Sequence, residues 1–291
     1  MKKGINAWSL PADLSLHDLF KTAKEAGFDT IELNVTERDT NANMTDDLGL
    51  VSNGDILPLD ITNEALLEIK KVSEAFDLPV SSISTSLHWA YPLNHDEAHI
   101  REKGKEIIRK MIEFCAFLGG NCVLIVPGVV TEKHDYETCY QLSMEAFKEV
   151  ADFAKANQIT IGVENVWNKF LLSPLEMRQF IDEIDHSHVK VYFDAGNVLQ
   201  FGFPQHWIRV LGDRIVKVHI KDFDRGIGNI TGFTPLLQGD MDWRTLLIAL
   251  KEINYTDEIT CELSPYKTNP IQLAFDTSKA MDYILNQNLN E

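Results

Sequence analysis

ITIGVE, residues 159–164, is a short apolar run that closes on a carboxylate, and three later runs repeat its form. They are VKVYFD (189–194), IVKVHI (215–220) and EITCE (258–262). Each has the length of a buried strand, and each brings a residue able to ligate a metal: Glu164, Asp194, His219 and Glu262. A parallel barrel gathers the C-terminal ends of its strands at one mouth, where the active sites of such barrels lie. Three carboxylates and an imidazole suit one divalent metal ion, Mn²⁺ or Mg²⁺, better than a zinc tetrahedron, although Co²⁺ and Zn²⁺ are compatible with the donors.

Outward from these runs, strand and helix signals alternate along all 291 residues. KKGINAW opens the chain, followed by an amphipathic stretch from Ser15, a suitable N-cap, to Ala26, with Gly27 placed to end it. DTIELNV reads as a second strand, Thr62 to Phe76 as a helix, and PVSSISTSL as a third strand. His95 to Leu118 is a long helix stopped by Gly119-Gly120; CVLIVPG is a strand, and Tyr136 to Asn157 is helical again. Further helices are expected near 174–185, 204–212, 242–253 and 270–287. Eight strands thus alternate with eight helices, and parallel strands need such crossovers. The expected fold is α/β, a single-domain (β/α)8 TIM barrel over residues 1–291. The polar stretch from Thr36 to about Asp60 is long for a plain connection and reads as a lid.

Composition narrows the partners. With 27 basic and 44 acidic residues the formal charge is −17, which repels nucleic acid and anionic membrane surfaces. No apolar run is long enough to span a bilayer, and no apolar signal core follows MKKGINAWSLPAD. Cys115, Cys122, Cys139 and Cys261 show neither a CxxC spacing nor a disulfide framework, so a cytoplasmic setting is expected.

Alternation within the strands points the same way. Lys217 and Lys221 share a face with His219, while Val216, Val218 and Ile220 take the other. By the same rule Glu32 goes with Asn34, His88 with Ser84 and Ser86, and Asp194 with Tyr192. If the apolar faces meet the helices, the lumen is polar on nearly every strand. Barrel interiors are normally filled with branched apolar side chains. Polar groups there cost free energy unless they are paired or ligated. One acid at a strand end is most often a turn residue or helix cap; four ligand types on successive strands are a site.

The segments GFDTIEL, PLNHDEAHIREKGKEIIRKMIEFCAFLGGNCVLI, VENV, FDAGN, VHIKD, QGDMDW and CEL resemble those of the xylose isomerase-like TIM barrels, specifically sugar and sugar-phosphate isomerases and epimerases. HWAYPLN and FDAGN look closest to the pentulose-5-phosphate 3-epimerases and hexulose-phosphate isomerases. The resemblance covers essentially the whole chain. It implies one metal held by Glu164, Asp194, His219 and Glu262, with the two glutamates as the catalytic acid/base pair. Removing a proton next to a carbonyl creates an enediolate whose charge a metal can hold. Carboxylates on opposite sides of the sugar then exchange the proton between faces. The implied partner is a small-molecule sugar or sugar phosphate, and homo-dimers or homo-tetramers are common among such proteins.

Relatives acting on free ketohexoses carry an acid shortly after the first glutamate, where this chain reads NVWNKF, and a His where it has Asn197. Arg225, by contrast, stands where those relatives place a substrate-binding Arg. The balance leans slightly toward a sugar phosphate. Lys221 and Arg225, with the backbone of Gly226-Ile227-Gly228-Asn229, are candidates to hold that phosphate. His88 and Asn197 are further substrate-binding candidates, and Trp8, Trp89 and Trp167 are placed to wall a sugar. Asp222 suits a supporting or helix-start role, and Asp240 or Asp242 a cap on the following helix. Three rival classes are a lyase of the same superfamily, an abasic-site endonuclease-like phosphodiesterase and a non-catalytic sugar-binding barrel. The charge of −17 and a single His in the ligand set disfavour the phosphodiesterase.

Overall fold

The computed structural model describes residues 1–38 and 56–287. Most of the stretch expected to form a lid, residues 39–55, therefore lies outside the described residues. Strands β1 (Lys3–Asn6), β2 (Thr30–Val35), β3 (Val80–Thr85), β4 (Cys122–Ile125), β5 (Thr160–Glu164), β6 (Val189–Asp194) and β7 (Ile215–Ile220) are parallel. A small antiparallel hairpin follows, β8 (Asp222–Phe223) with β9 (Phe233–Thr234), before β10 (Ile259–Cys261). β10 pairs with both β7 and β1 and closes the eight-stranded barrel.

Among the described residues, eight helices pack outside it: α1 (Leu16–Ala26), α2 (Asn63–Ala75), α4 (Ala98–Leu118), α5 (Tyr136–Ala156), α6 (Pro174–Ile184), α7 (Pro204–Leu211), α8 (Trp243–Glu252) and α9 (Gln272–Leu285). The one-turn α3 (Leu87–Ala90) is additional. The fold is the expected (β/α)8 TIM barrel. Helix starts follow the capping chemistry: Ser15, Thr62, Asp135, Ser173 and Asp242 each accept a backbone N–H three residues on. Gly27 ends α1 at φ 92°, a left-handed conformation that favours glycine.

Register explains the polar interior. Asn6 lies beside Glu32, Glu32 beside Ser82, Glu164 beside Tyr192, and Asp194 beside His219. The intervening residues, among them Ile5, Ile31, Ile83, Val123, Ile161, Val191 and Val218, are fully buried against the helices. Each contributes about 1.5–3 kcal/mol of burial. Irregularities between Ile31 and Glu32 and between Val191 and Tyr192 interrupt the ladders beside the two residues that meet across the lumen. The Tyr192 hydroxyl donates to Glu32 Oε2 at 2.6 Å. Lower down, buried Lys217 contacts Glu258 and lies 3.3 Å from Asp257.

The third strand is shorter than its pattern. It stops at Thr85, whose hydroxyl donates to Val35 O at 2.7 Å and accepts the Leu87 N–H at 3.1 Å. This turn carries His88 into α3, off the alternating face on which it was expected.

Gly162 leaves the space that Tyr192 crosses. A Cβ there would lie 2.9 Å from Tyr192 Cβ and 3.1 Å from Cys122 Sγ. Gly162→Ala is expected to destabilise the fold by roughly 1–3 kcal/mol through overpacking, measured as a lower urea midpoint.

Candidate metal centre

β5 and β6 end on Glu164 and Asp194, β7 carries His219 next to its last residue, and Glu262 directly follows β10. One donor atom from each lies within 4.8 Å of all the others, and all four residues are buried. The expected constellation is therefore assembled at one end of the lumen. Its ring nitrogens are differentiated. His219 Nε2 lies 2.8 Å from Glu32 Oε1, whereas Nδ1 has no hydrogen-bond partner and faces Glu262 Oε2 at 3.8 Å and Asp194 Oδ2 at 4.0 Å.

Glu32 is itself held from three further sides. Asn6 donates to it at 2.5 Å, and the Ser82 and Tyr192 hydroxyls each donate at 2.6 Å. Burial alone would raise its pKa, but the His219 charge and these hydrogen bonds prevail and hold it at about 2. Burial pulls His219 down, yet the Glu32 and Glu262 charges lift it to about 9. A carboxylate behind the imidazole fixes ring orientation and leaves Nδ1 to the cluster.

The other members of the cluster are positioned by loop amides. Asn165 donates to Asp194 O at 2.8 Å and accepts the Asp194 N–H at 2.9 Å, clamping the ends of β5 and β6 together. The Asn197 N–H donates to Asp194 Oδ1 at 2.8 Å, and its side chain donates to Asn165 O at 3.0 Å and Glu164 Oε1 at 3.4 Å. Lys221 Nζ stands 2.7 Å from Asp194 Oδ2 and also contacts Glu262 Oε2.

The two glutamates experience opposite fields. Burial, then the Glu262 and Asp194 charges, push Glu164 well above the usual carboxylate range. Glu262, despite burial, is held low by Lys221 and His219. The donor set fits a divalent cation on structural grounds. Three clustered carboxylates face one ammonium, and the buried Nδ1 of His219 is without a hydrogen-bond partner.

A cleft of about 300 Å³ opens onto Glu164 and Glu262. Trp8, Trp89, Trp167 and Phe233 contribute apolar wall, and Asn197, Lys221, Thr85 and Ser86 contribute polar lining. Trp167 is fixed by an Nε1 hydrogen bond to Asn197 O at 2.8 Å and by contacts with Phe223 and Phe233. Of the expected substrate-facing residues, Trp8, Trp167, Asn197 and Lys221 line the cleft; His88 and Arg225 do not. His88 is wholly buried, and burial drops its pKa to about 4, so it is a neutral interior residue. Arg225 is exposed between β8 and β9, its N–H donating to Asp240 Oδ2 at 2.8 Å. Asp242 caps α8, while Asp222 accepts the Phe223 and Met241 N–H groups and ties β8 to the QGDMDW loop.

A family model described as xylose isomerase-like TIM barrel matches residues 20–285, and the chain belongs to that family. The L-ribulose-5-phosphate 3-epimerase UlaE of Salmonella choleraesuis is 24% identical over 283 residues, 97% of this chain and 93% of its own. The D-psicose 3-epimerase of Clostridium cellulolyticum H10 superposes with a TM-score of 0.76 at 16% identity over 98% of each chain. An L-ribulose 3-epimerase structure gives 0.75 at 18% identity, over 100% of this chain and 99% of its own. At these identities the structural likeness is one of fold.

Glu32 is the important contributor whose role the linear pattern did not assign. Glu32→Gln is expected to weaken Mn²⁺ binding by roughly 10–100-fold, the usual effect of losing a partner behind a ligand. Isothermal titration would measure it, with circular dichroism verifying that the barrel is retained.

Proposed function

We propose that this protein is a divalent-metal-dependent isomerase, an epimerase or isomerase of a ketose or ketose phosphate that works by α-proton abstraction. The observation carrying this reading is the meeting of Glu164 and Glu262 with Asp194 and His219 in one buried cluster beside the cleft. Glu164, Asp194, His219 and Glu262 would hold the cation. When bound, it supplies Lewis-acid polarisation of the substrate carbonyl, worth several kcal/mol in the transition state.

The protein's own groups do the rest. The aromatic walls hold the sugar and exclude water, which strengthens every charge interaction at the reacting carbon. One glutamate removes the proton next to the carbonyl, and the other returns it from the opposite side, inverting the carbon. Their opposite electrostatic settings suit such a division, since an acid/base pair needs groups whose proton affinities are driven apart. Asn197 steadies Glu164, and the Lys221 ammonium holds Glu262 in its charged form. That relatives of this chain are named as sugar and sugar-phosphate 3-epimerases supports the assignment.

The metal-replete protein is expected to exchange the α-hydrogen of a ketose with D₂O and to yield its epimer without loss of water, followed by NMR. Glu164→Gln and Glu262→Gln should each lower the rate by roughly 10²–10⁴-fold. Chelation should abolish exchange and Mn²⁺ restore it. Metal-independent exchange, or exchange undiminished in both variants, would remove the proposal.

A further inference from the structure

We infer that the cleft takes an uncharged ketose and discriminates against its phosphate ester. This narrows the epimerase reading and rests on it. A phosphate monoester carries nearly two negative charges near neutrality and is recognised by guanidinium or ammonium groups, or by a cradle of unengaged backbone N–H groups. Among the described residues, the cleft lining and the glycine-containing loop after β8 present little of either.

Among the described residues that line the cleft, Lys221 is the one cation. It is committed to Asp194 and Glu262, so an entering phosphate would compete with two carboxylates. The other cations of the loops at this end of the barrel lie outside the lining. Arg38 pairs with Asp60 at 3.3 Å, Arg225 sits 3.7 Å from Asp240, and Lys133, Lys169 and Lys267 are exposed.

The glycine-containing loop after β8 is already engaged by carboxylates and carbonyls. Its Arg225 N–H goes to Asp240 Oδ2 at 2.8 Å and its Gly226 N–H to Asp224 Oδ1 at 2.7 Å. The Ile227 and Gly228 N–H groups turn back to Asp224 O at 3.2 and 3.5 Å. Two aspartates thus engage the positions from which a phosphate would be cradled.

What the cleft does present matches a neutral polyol. Trp8, Trp89, Trp167 and Phe233 offer flat apolar surface to the C–H faces of a sugar. Thr85, Ser86, Thr234 and Ser264 provide uncharged groups for hydroxyls. Trp8 Nε1 is a buried donor without a hydrogen-bond partner, which a hydroxyl oxygen satisfies.

Two matched pairs test this on the Mn²⁺-loaded protein: L-ribulose with L-ribulose 5-phosphate, and D-fructose with D-fructose 6-phosphate. For each pair two quantities are measured, kcat/KM for α-hydrogen exchange in D₂O and Kd from tryptophan fluorescence. At least tenfold preference for a free sugar over its ester, in both quantities, is expected. Exchange that equals or favours the ester overturns the inference. Absence of exchange with all four compounds sinks the epimerase reading instead, and the binding constants then decide the substrate class alone. Binding of an ester as tight as its free sugar, or binding of none of the four, overturns the inference on that arm.

Discussion

The buried contact between Glu32 and His219 is the constraint on which the interior of this barrel depends. A carboxylate and an imidazole, both wholly excluded from solvent, lie 2.8 Å apart in the lumen. Either one left alone would be a costly buried polar group. Together, and with Asn6, Ser82 and Tyr192 completing the carboxylate's hydrogen bonds, they form a satisfied network. It fixes which imidazole nitrogen is turned toward Asp194 and Glu262. The irregular ladders beside Glu32 and Tyr192, and the glycine at position 162, are the backbone features that accommodate this network.

The acidic cluster follows the same logic one layer nearer the mouth. Glu164, Asp194 and Glu262 repel one another in a medium that screens charge poorly, and Lys221 offsets only part of that repulsion. Such a cluster is unfavourable for folding on its own terms, and sites of this kind are where proteins retain local conflicts for chemistry. The apolar walls above it sharpen the effect by keeping the dielectric low.

The barrel was legible in the sequence because its strands are buried on the helix side, so that they read as apolar runs with polar residues at every second position. The clustered donors were legible for the same reason: Glu164, Asp194, His219 and Glu262 break or close those runs at equivalent places. What stayed hidden depends on contacts remote in sequence or on turns set by single hydroxyls. The partner of His219 lies 187 residues earlier, and no local periodicity encodes that pairing. His88 follows a strand-like pattern, but Thr85 turns the chain and removes it from the lumen. Gly226 to Asn229 resembles an anion cradle in composition. Asp224 engages its first amides, and Asp240 the Arg225 N–H just before them, because a short acidic side chain competes for nearby backbone donors.

Fold and chemistry therefore separate from specificity in this molecule. The clustered donors stand at or next to the ends of strands, where the hydrogen-bonded barrel holds them rigidly, and one framework of this kind can carry many different sites. Discrimination falls to the loops, whose charges are set independently of the core. Here the described residues that line the cleft set tryptophans and hydroxyls around an already acidic centre, with Lys221 as the one cation. Opposing a phosphate takes no clash in such an arrangement; it is enough that Lys221, the cation of the lining, already pairs with two carboxylates.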